Sequence, residues 1–264
     1  MFSIYPIYLM IDIITYFFAA LLGLGMGSFL NAWVWRTRSG HSIIKGRSMC
    51  TSCKTVLRAI DNIPIISFLY LKGKAFCCRK KISWQYPLVE AAMALLFVGA
   101  AYIYKGDAIM TSISFVVLFF FMFVFVYDLR YGEIWDKMTT VPAAILFFVQ
   151  GQLGILAWQD MAFGALIGGG FFLLQLVVSR GKWIGGGDIR MGLFLGIVLG
   201  WQRTIFALLI SYVGGAIVGV YLLARKKVKK HSTIPFGTFL AFGGAVALFW
   251  GYAMIEWYMR LLHI

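Results

Sequence analysis

Phe115-Val116-Val117-Leu118-Phe119-Phe120-Phe121-Met122-Phe123-Val124-Phe125-Val126-Tyr127 is an unbroken apolar run, and it ends on Asp128-Leu129-Arg130. Extended back to Ile109, it reaches the roughly 20 residues that a helix needs to cross a bilayer. A carboxylate at the mouth of such a segment is costly unless it is paired, wetted or functional. A second acid has the same setting, in Ile184-Gly185-Gly186-Gly187-Asp188-Ile189-Arg190, where a polar loop re-enters an apolar helix. Its glycines permit backbone conformations and close approaches that a side chain forbids. Two acids at membrane depth suggest an aspartyl protease dyad, Asp128 with Asp188, with Gly185 and Gly187 as supporting loop.

The rest of the composition agrees with a membrane setting. The 264 residues are 61% hydrophobic and 13% charged, against roughly 45–50% apolar and about 25% charged in soluble domains. The net charge of +14 first reports topology in such a chain, not nucleic-acid binding. The amino terminus lacks a basic region ahead of its apolar stretch, so a retained first span is expected and not a cleaved signal peptide.

Spans are expected near residues 8–35, 87–104, 109–127, 137–158, 161–179, 189–201, 203–224 and 234–262. The fold class is therefore an all-α polytopic membrane protein of about eight transmembrane helices. A small cytoplasmic insertion, a candidate zinc-binding one, follows the first. The sixth span is short, the mark of a broken or partly sunken helix lining a protein-enclosed cavity. The domains implied are 1–36, a first span; 37–86, a cytoplasmic Cys-containing segment; and 87–264, a seven-span core. This layout puts every basic residue except Lys105, Arg203 and Arg260 on one side of the membrane. The positive-inside rule makes that side cytoplasmic. Asp128 and Asp188 then emerge on the same, cytoplasmic, face.

Small residues at four-residue spacing occur in several spans: Gly23 and Gly27, Gly164 and Gly168, Gly215 and Gly219, and the ladder Gly192, Gly196, Gly200. They form grooves that let helix backbones approach. The ladder after Asp188 is placed to press the sixth helix on the third or to admit a substrate helix. Gly23-Leu24-Gly25-Met26-Gly27 is no dinucleotide loop, because no strand precedes it.

All four cysteines lie in the polar insertion: Cys50-Thr51-Ser52-Cys53, then Cys77-Cys78. A CxxC knuckle offers two thiolates, and zinc takes four ligands in a tetrahedron. A reducing cytoplasmic side favours metal over a disulfide. The adjacent pair Cys77-Cys78 is irregular, so free thiols stay an alternative to zinc. Either way the task is structural, since so short a segment makes a meagre core.

Each acid also has a plainer reading. Asp188 suits a helix N-cap, and Asp128 suits an interfacial pair with Arg130. Asp136 reads as the cap of the fourth helix and Glu133 as loop solvation. Glu90, early in the second span, needs a partner that nearby basic loop residues offer. His41, His231 and His263 show no HExxH spacing, and no GxSxG occurs, which disfavours metalloprotease and serine protease chemistry. A transporter or proton-conducting protein using intramembrane carboxylates is the competing class.

Gly185-Gly186-Gly187-Asp188 resembles the GxGD signature of intramembrane aspartyl proteases. Gly27-Ser28-Phe29-Leu30-Asn31 through Arg36 is similar to the first-span motif of bacterial type IV prepilin leader peptidases. So are Arg47-Ser48-Met49-Cys50, Asp61-Asn62-Ile63-Pro64, Gly73-Lys74, Tyr86-Pro87-Leu88-Val89-Glu90 and Ile234-Pro235-Phe236-Gly237. The likeness runs in order through nearly the whole chain. It implies an eight-span enzyme of the bacterial inner membrane with Asp128 and Asp188 as catalytic pair. It also implies removal of the basic leader of type IV prepilins or secretion pseudopilins, then methylation of the new amino terminus with S-adenosylmethionine. Methylation is associated with the large cytoplasmic loop, at Gly73. Cys50, Cys53, Cys77 and Cys78 are the expected metal ligands, prepilin and membrane lipid the expected partners, and nucleic acid is not expected. Three departures stand out. Ala75 occupies the first position of the family's second CxxC, Trp135-Asp136 replaces a Pro-Asp pair, and Arg190 replaces a Lys.

Overall fold

The computed structural model describes residues 5–225 and 234–261, with side chains from residue 10 onward. Lys226, Lys227, Lys229 and Lys230, part of the expected cytoplasmic charge, and His231 and His263 lie outside the described residues. The helices are α1 (Tyr5–Ser39), α2 (Ile66–Tyr70), α3 (Gln85–Ile103), α4 (Ala108–Tyr131), α5 (Lys137–Gln152), α6 (Trp158–Ser179), α7 (Gly186–Leu199), α8 (Trp201–Ala224) and α9 (Phe236–Leu261). In hydrocarbon every backbone N–H and C=O must be satisfied within the chain, which is why apolar runs of this length become helices. Six of them, α1, α3, α4, α6, α8 and α9, are long and apolar enough to cross a membrane. The chain is a multi-pass membrane protein. The other two expected spans appear as α5, with 16 residues, and α7, with 14. Both fall short of the roughly 20 residues a full crossing takes. Gly154, at φ +66°, ends the α5 region well before the expected residue 158.

Compact packing divides the chain into Met1–Phe119 and Phe120–Ile264, with the boundary inside α4. In the first unit α1 packs on α3. The glycine pair of α1 makes this possible: a Cβ on Gly23 would stand 2.6 Å from Ala94 Cα, and one on Gly27 2.7 Å from Glu90 Cα. After α1 the Arg36 guanidinium donates to the carbonyls of Ser42, Ile43 and Gly46, at 3.2, 2.8 and 2.9 Å. That turns the chain into the polar insertion. Within it a 3₁₀ turn, Ala59–Asn62, precedes α2. The residue capping α2 is Ile65, at φ +60° and ψ −49°. A β-branched side chain in that region costs roughly 1–3 kcal/mol and persists only where its surroundings impose it.

In the second unit α6 and α7 form the closest pair. Gly164 and Gly168 lie against Gly192 and Gly196, and a methyl on any of the four would overlap the facing helix backbone. The ladder after Asp188 therefore packs on α6, the helix next to it in sequence, and not on the third span. Another face of α7 meets α4, where Phe121 and Phe194 stack edge to face at 5.5 Å. Gly200, at φ +74°, breaks α7 from α8 in a single residue. Ser211 of α8 donates to its own helix at Ala207 and lies 3.0 Å from the Phe239 carbonyl of α9.

Candidate active site

Asp128 sits in the last turn of α4, and only 3% of its surface is exposed. Gly132 closes that helix, donating its N–H to the Asp128 carbonyl at 2.7 Å with φ +68°. The Asp128 carboxylate turns inward to the start of α9. Its Oδ2 accepts the Thr238 N–H at 2.7 Å and faces the Thr238 hydroxyl at 3.2 Å. The first N–H groups of a helix have no partner within it and carry the positive end of its dipole. A buried carboxylate there meets both needs. The approach depends on Gly237, where a Cβ would stand 3.0 Å from Asp128 Oδ2 and 2.7 Å from the Ile134 side chain. This contact ties the end of α4 to the start of α9 across residues 110 positions apart in the chain. In the sequence Thr238 carries no signal beyond its place just after Pro235-Phe236-Gly237.

Asp188 is 9% exposed and lies in the first turn of α7. It is not the N-cap itself, because Gly186 and Gly187 are already helical and Gly185 holds the cap position. From the third helical residue its Oδ2 reaches back to the Gly185 N–H, at 3.2 Å. Gly187 packs on Ile134, where a Cβ would come within 3.0 Å. One isoleucine thus fills the space left by Gly187 and Gly237 together. Gly186 meets nothing within 4 Å, so backbone is open at that point.

Both carboxylates line one cleft of about 720 Å³, whose other walls include Glu133, Asp136, Trp183 and Tyr212. Asp136 begins α5 as expected, but its side chain makes an ion pair with Arg190 in place of a cap. Glu133 is more than a solvated loop residue, since the Tyr127 hydroxyl donates to it at 3.3 Å and it borders the cleft. Tyr212 of α8 and Gln175 of α6 hydrogen-bond across the wall at 2.8 Å. In a chain of net charge +14, the described lining holds four carboxylates and a single cation, Arg190. The cleft is locally negative.

The cysteines form a separate group in the first unit, and the backbone explains how. Cys50 N–H donates to Thr55 and Lys54 N–H to Cys50, while Ala75 N–H donates to Lys80 and Arg79 N–H to Ala75. Bridges Met49–Val56 and Lys74–Lys81 close the two turns, and Lys54 and Arg79 both take positive φ. These are two matching knuckles in which Ala75 stands at the place of Cys50. The missing thiol is supplied by Cys77, inside the second turn. Cys53 and Cys77 sulfurs are 3.0 Å apart, Cys50 and Cys78 sulfurs 3.8 Å, and all four fall within 4.8 Å of one another. Four sulfurs on a tetrahedral zinc lie about 3.8 Å apart, given bonds of ~2.3 Å, so this set fits the ion. The thiols also divide in acidity: the Thr55 hydroxyl, then Cys77, draws Cys53 down to about 6. Cys77 is pushed up to about 12, first by its contact with Cys53.

Gly73, at φ +68°, follows α2, and its N–H donates to the Phe68 carbonyl at 2.9 Å. A Cβ there would stand 3.2 Å from the Phe68 ring.

The fold and the cleft define a multi-pass membrane protein with two buried acids at helix ends. Residues 21–104 match the family model described as the bacterial peptidase A24 N-terminal domain, and residues 115–220 match that of the type IV leader peptidase family. A prepilin leader peptidase/N-methyltransferase of Pseudomonas putida is 30% identical over 272 residues, covering 92% of this chain and 93% of its own. One from Pseudomonas aeruginosa is 30% identical over 269 residues, at 91% and 92% coverage. One from Aeromonas hydrophila is 31% identical over 228 residues, at 83% and 77%. No solved structure matches. The chain belongs to the type IV leader peptidase family.

Proposed function

We propose that this chain is an intramembrane aspartyl endopeptidase of the bacterial inner membrane. It removes the basic leader of type IV prepilins or pseudopilins at the cytoplasmic face, then methylates the new amino terminus. The observation that most supports it is the opening of two buried carboxylates, Asp128 and Asp188, from separate helices onto one cleft. Their position in the last turn of α4 and the first turn of α7 also favours peptidase over transporter. A relay for ions would hold its acids deeper in the bilayer. A substrate with a cationic leader ahead of an apolar helix suits a negative cleft at the membrane surface.

Two carboxylates drawn together on one scissile bond do not both ionise cheaply, so the pair would share one proton. The ionised member takes a proton from water as that water attacks the scissile carbonyl. The protonated member hydrogen-bonds the carbonyl oxygen and then gives a proton to the leaving amine. The proton belongs to the pair, and neither residue owns a fixed role. Thr238 holds Asp128 from behind, while the open backbone at Gly186 leaves room for an extended substrate strand beside Asp188.

Methylation belongs to the first unit in this scheme, near Gly73; S-adenosylmethionine bound there would provide the methyl group, the freed amine would take it and lose a proton, and S-adenosylhomocysteine would leave. Cys50, Cys53, Cys77 and Cys78 would hold a structural zinc ion. Treating the purified protein with a strong chelator, or making Cys50→Ser, is then expected to remove stoichiometric zinc and lower Tm by at least about 4 °C. Elemental analysis and thermal unfolding in detergent check this; an unchanged Tm with no zinc in the untreated protein rejects the site.

The function itself is tested by incubating detergent-purified protein with a prepilin-like peptide. Mass spectrometry is expected to show loss of the leader, and a gain of one methyl when S-adenosylmethionine is present. An intact peptide after long incubation with folded protein would count against the assignment.

A further inference from the structure

We propose that Glu90 is a positioning residue for the methyl-transfer step, acting through the strained turn at Ile65. The proposal rests on the methylation reading above. Glu90 lies on α3 and is only 6% exposed. Its Oε2 accepts the Ile65 N–H at 2.8 Å, and the Ser28 hydroxyl of α1 also hydrogen-bonds the carboxylate. A buried backbone N–H that lost this acceptor would carry the cost of an unpaired donor. Among the described residues these contacts come from a backbone amide and a hydroxyl, where the sequence led one to expect a basic side chain.

That amide belongs to a β-branched residue with positive φ. Ile65 stands at φ +60° and ψ −49°, a region a β-branched side chain adopts only under constraint. The strain has a direction. Immediately after Ile65 the chain forms α2, and α2 carries Phe68, which is 8% exposed. The Phe68 ring underlies Gly73 at 3.2 Å from where a Cβ would stand, and its carbonyl receives the Gly73 N–H at 2.9 Å. The ring also packs on Trp84 at 4.9 Å between centroids.

A continuous series of contacts therefore leads from a carboxylate on a membrane helix to the floor beneath Gly73. Glu90 holds Ile65, Ile65 starts α2, and Phe68 of α2 supports the glycine. All of these residues belong to the first unit. Asp128 and Asp188 belong to the second. Loosening the Ile65 turn should thus disturb methylation while leaving leader removal in place.

The test uses the full-length protein in detergent, as wild type, Glu90→Leu and Glu90→Gln. Leucine keeps the bulk and removes the acceptor; glutamine keeps an oxygen that accepts the same N–H. For Glu90→Leu, leader cleavage is expected to stay within about twofold of wild type. Methylation of the released amino terminus is expected to fall at least about tenfold, the scale of a buried N–H left without its acceptor. Glu90→Gln is expected to recover methylation to within about threefold. Hydrogen exchange supplies a readout independent of turnover: amides of residues 65–73 exchange faster in the leucine variant and normally in the glutamine one. Normal methylation by Glu90→Leu, or equal loss of cleavage and methylation in both variants, overturns the proposal. A wild type that cleaves but never methylates overturns the underlying reading and the proposal with it.

Discussion

Asp128→Asn and Asp188→Asn are each expected to abolish leader removal, to below about 10⁻³ of the wild-type rate. Asparagine keeps the size of the side chain, and at position 128 it keeps an oxygen to accept the Thr238 N–H now given to Asp128 at 2.7 Å. Folding and insertion should therefore persist. What is lost is the ability to hold and pass a proton. With either acid gone, the other has no partner to share with, and water activation and leaving-group protonation fail together. The double variant should be no worse than either single one, because groups that act as a unit are strongly non-additive. Mass spectrometry of a prepilin-like peptide, alongside thermal unfolding of each variant, reads both halves of the prediction. Substantial cleavage by either variant would falsify the pair as the proton-transfer machinery.

Gly196→Ala is expected to be the most damaging single methyl in the second unit. The added Cβ would overlap the Gly164 carbonyl on α6, and a backbone carbonyl inside a helix has no rotamer with which to give way. Ordinary overpacking costs ~1–3 kcal/mol, because side chains can shift. Here two helices must separate along their closest face, so a cost above that range is expected. α7 carries Asp188 at one end and the Phe194 contact with α4 midway, so the cleft should open as the pair parts. Gly170→Ala is the control on α6, since its Cβ would meet nothing closer than the Leu166 side chain at 4.0 Å. Thermal unfolding in detergent should show a large fall in Tm for the first and almost none for the second. Equal, small shifts in both would mean that the glycine face is not a tight seam.

The helices and the two acids were legible in the sequence, though not which helices cross fully, because hydropathy and charge are local properties. A run such as Phe115 to Tyr127 excludes water wherever it folds, and an acid at its end stands out against it. The glycine ladder was also visible, but its partner was not. Small residues mark where a backbone can be approached, and several helices have such a face, so only packing selects α6 over α4. The same ambiguity affected Asp136. An acid before a helix reads as a cap, yet Arg190, distant in sequence, claims its carboxylate.

The cysteines show the boundary most clearly. Spacing alone makes Cys77-Cys78 irregular, because a knuckle takes its thiols three residues apart. The folded turns place Ala75 opposite Cys50 in kind and bring Cys77 round to complete four sulfurs within 4.8 Å.

By itself the sequence determined the class of protein, its helices and the acids worth following, since each follows from what a short stretch does in water or in lipid. Only the tertiary structure decided that Thr238 holds Asp128, that Ile134 fills the gap between two glycines, and that Glu90 grips a strained turn. Those contacts join residues far apart in the chain. Their geometry comes from helix register and backbone clearance, which no local run of side chains encodes.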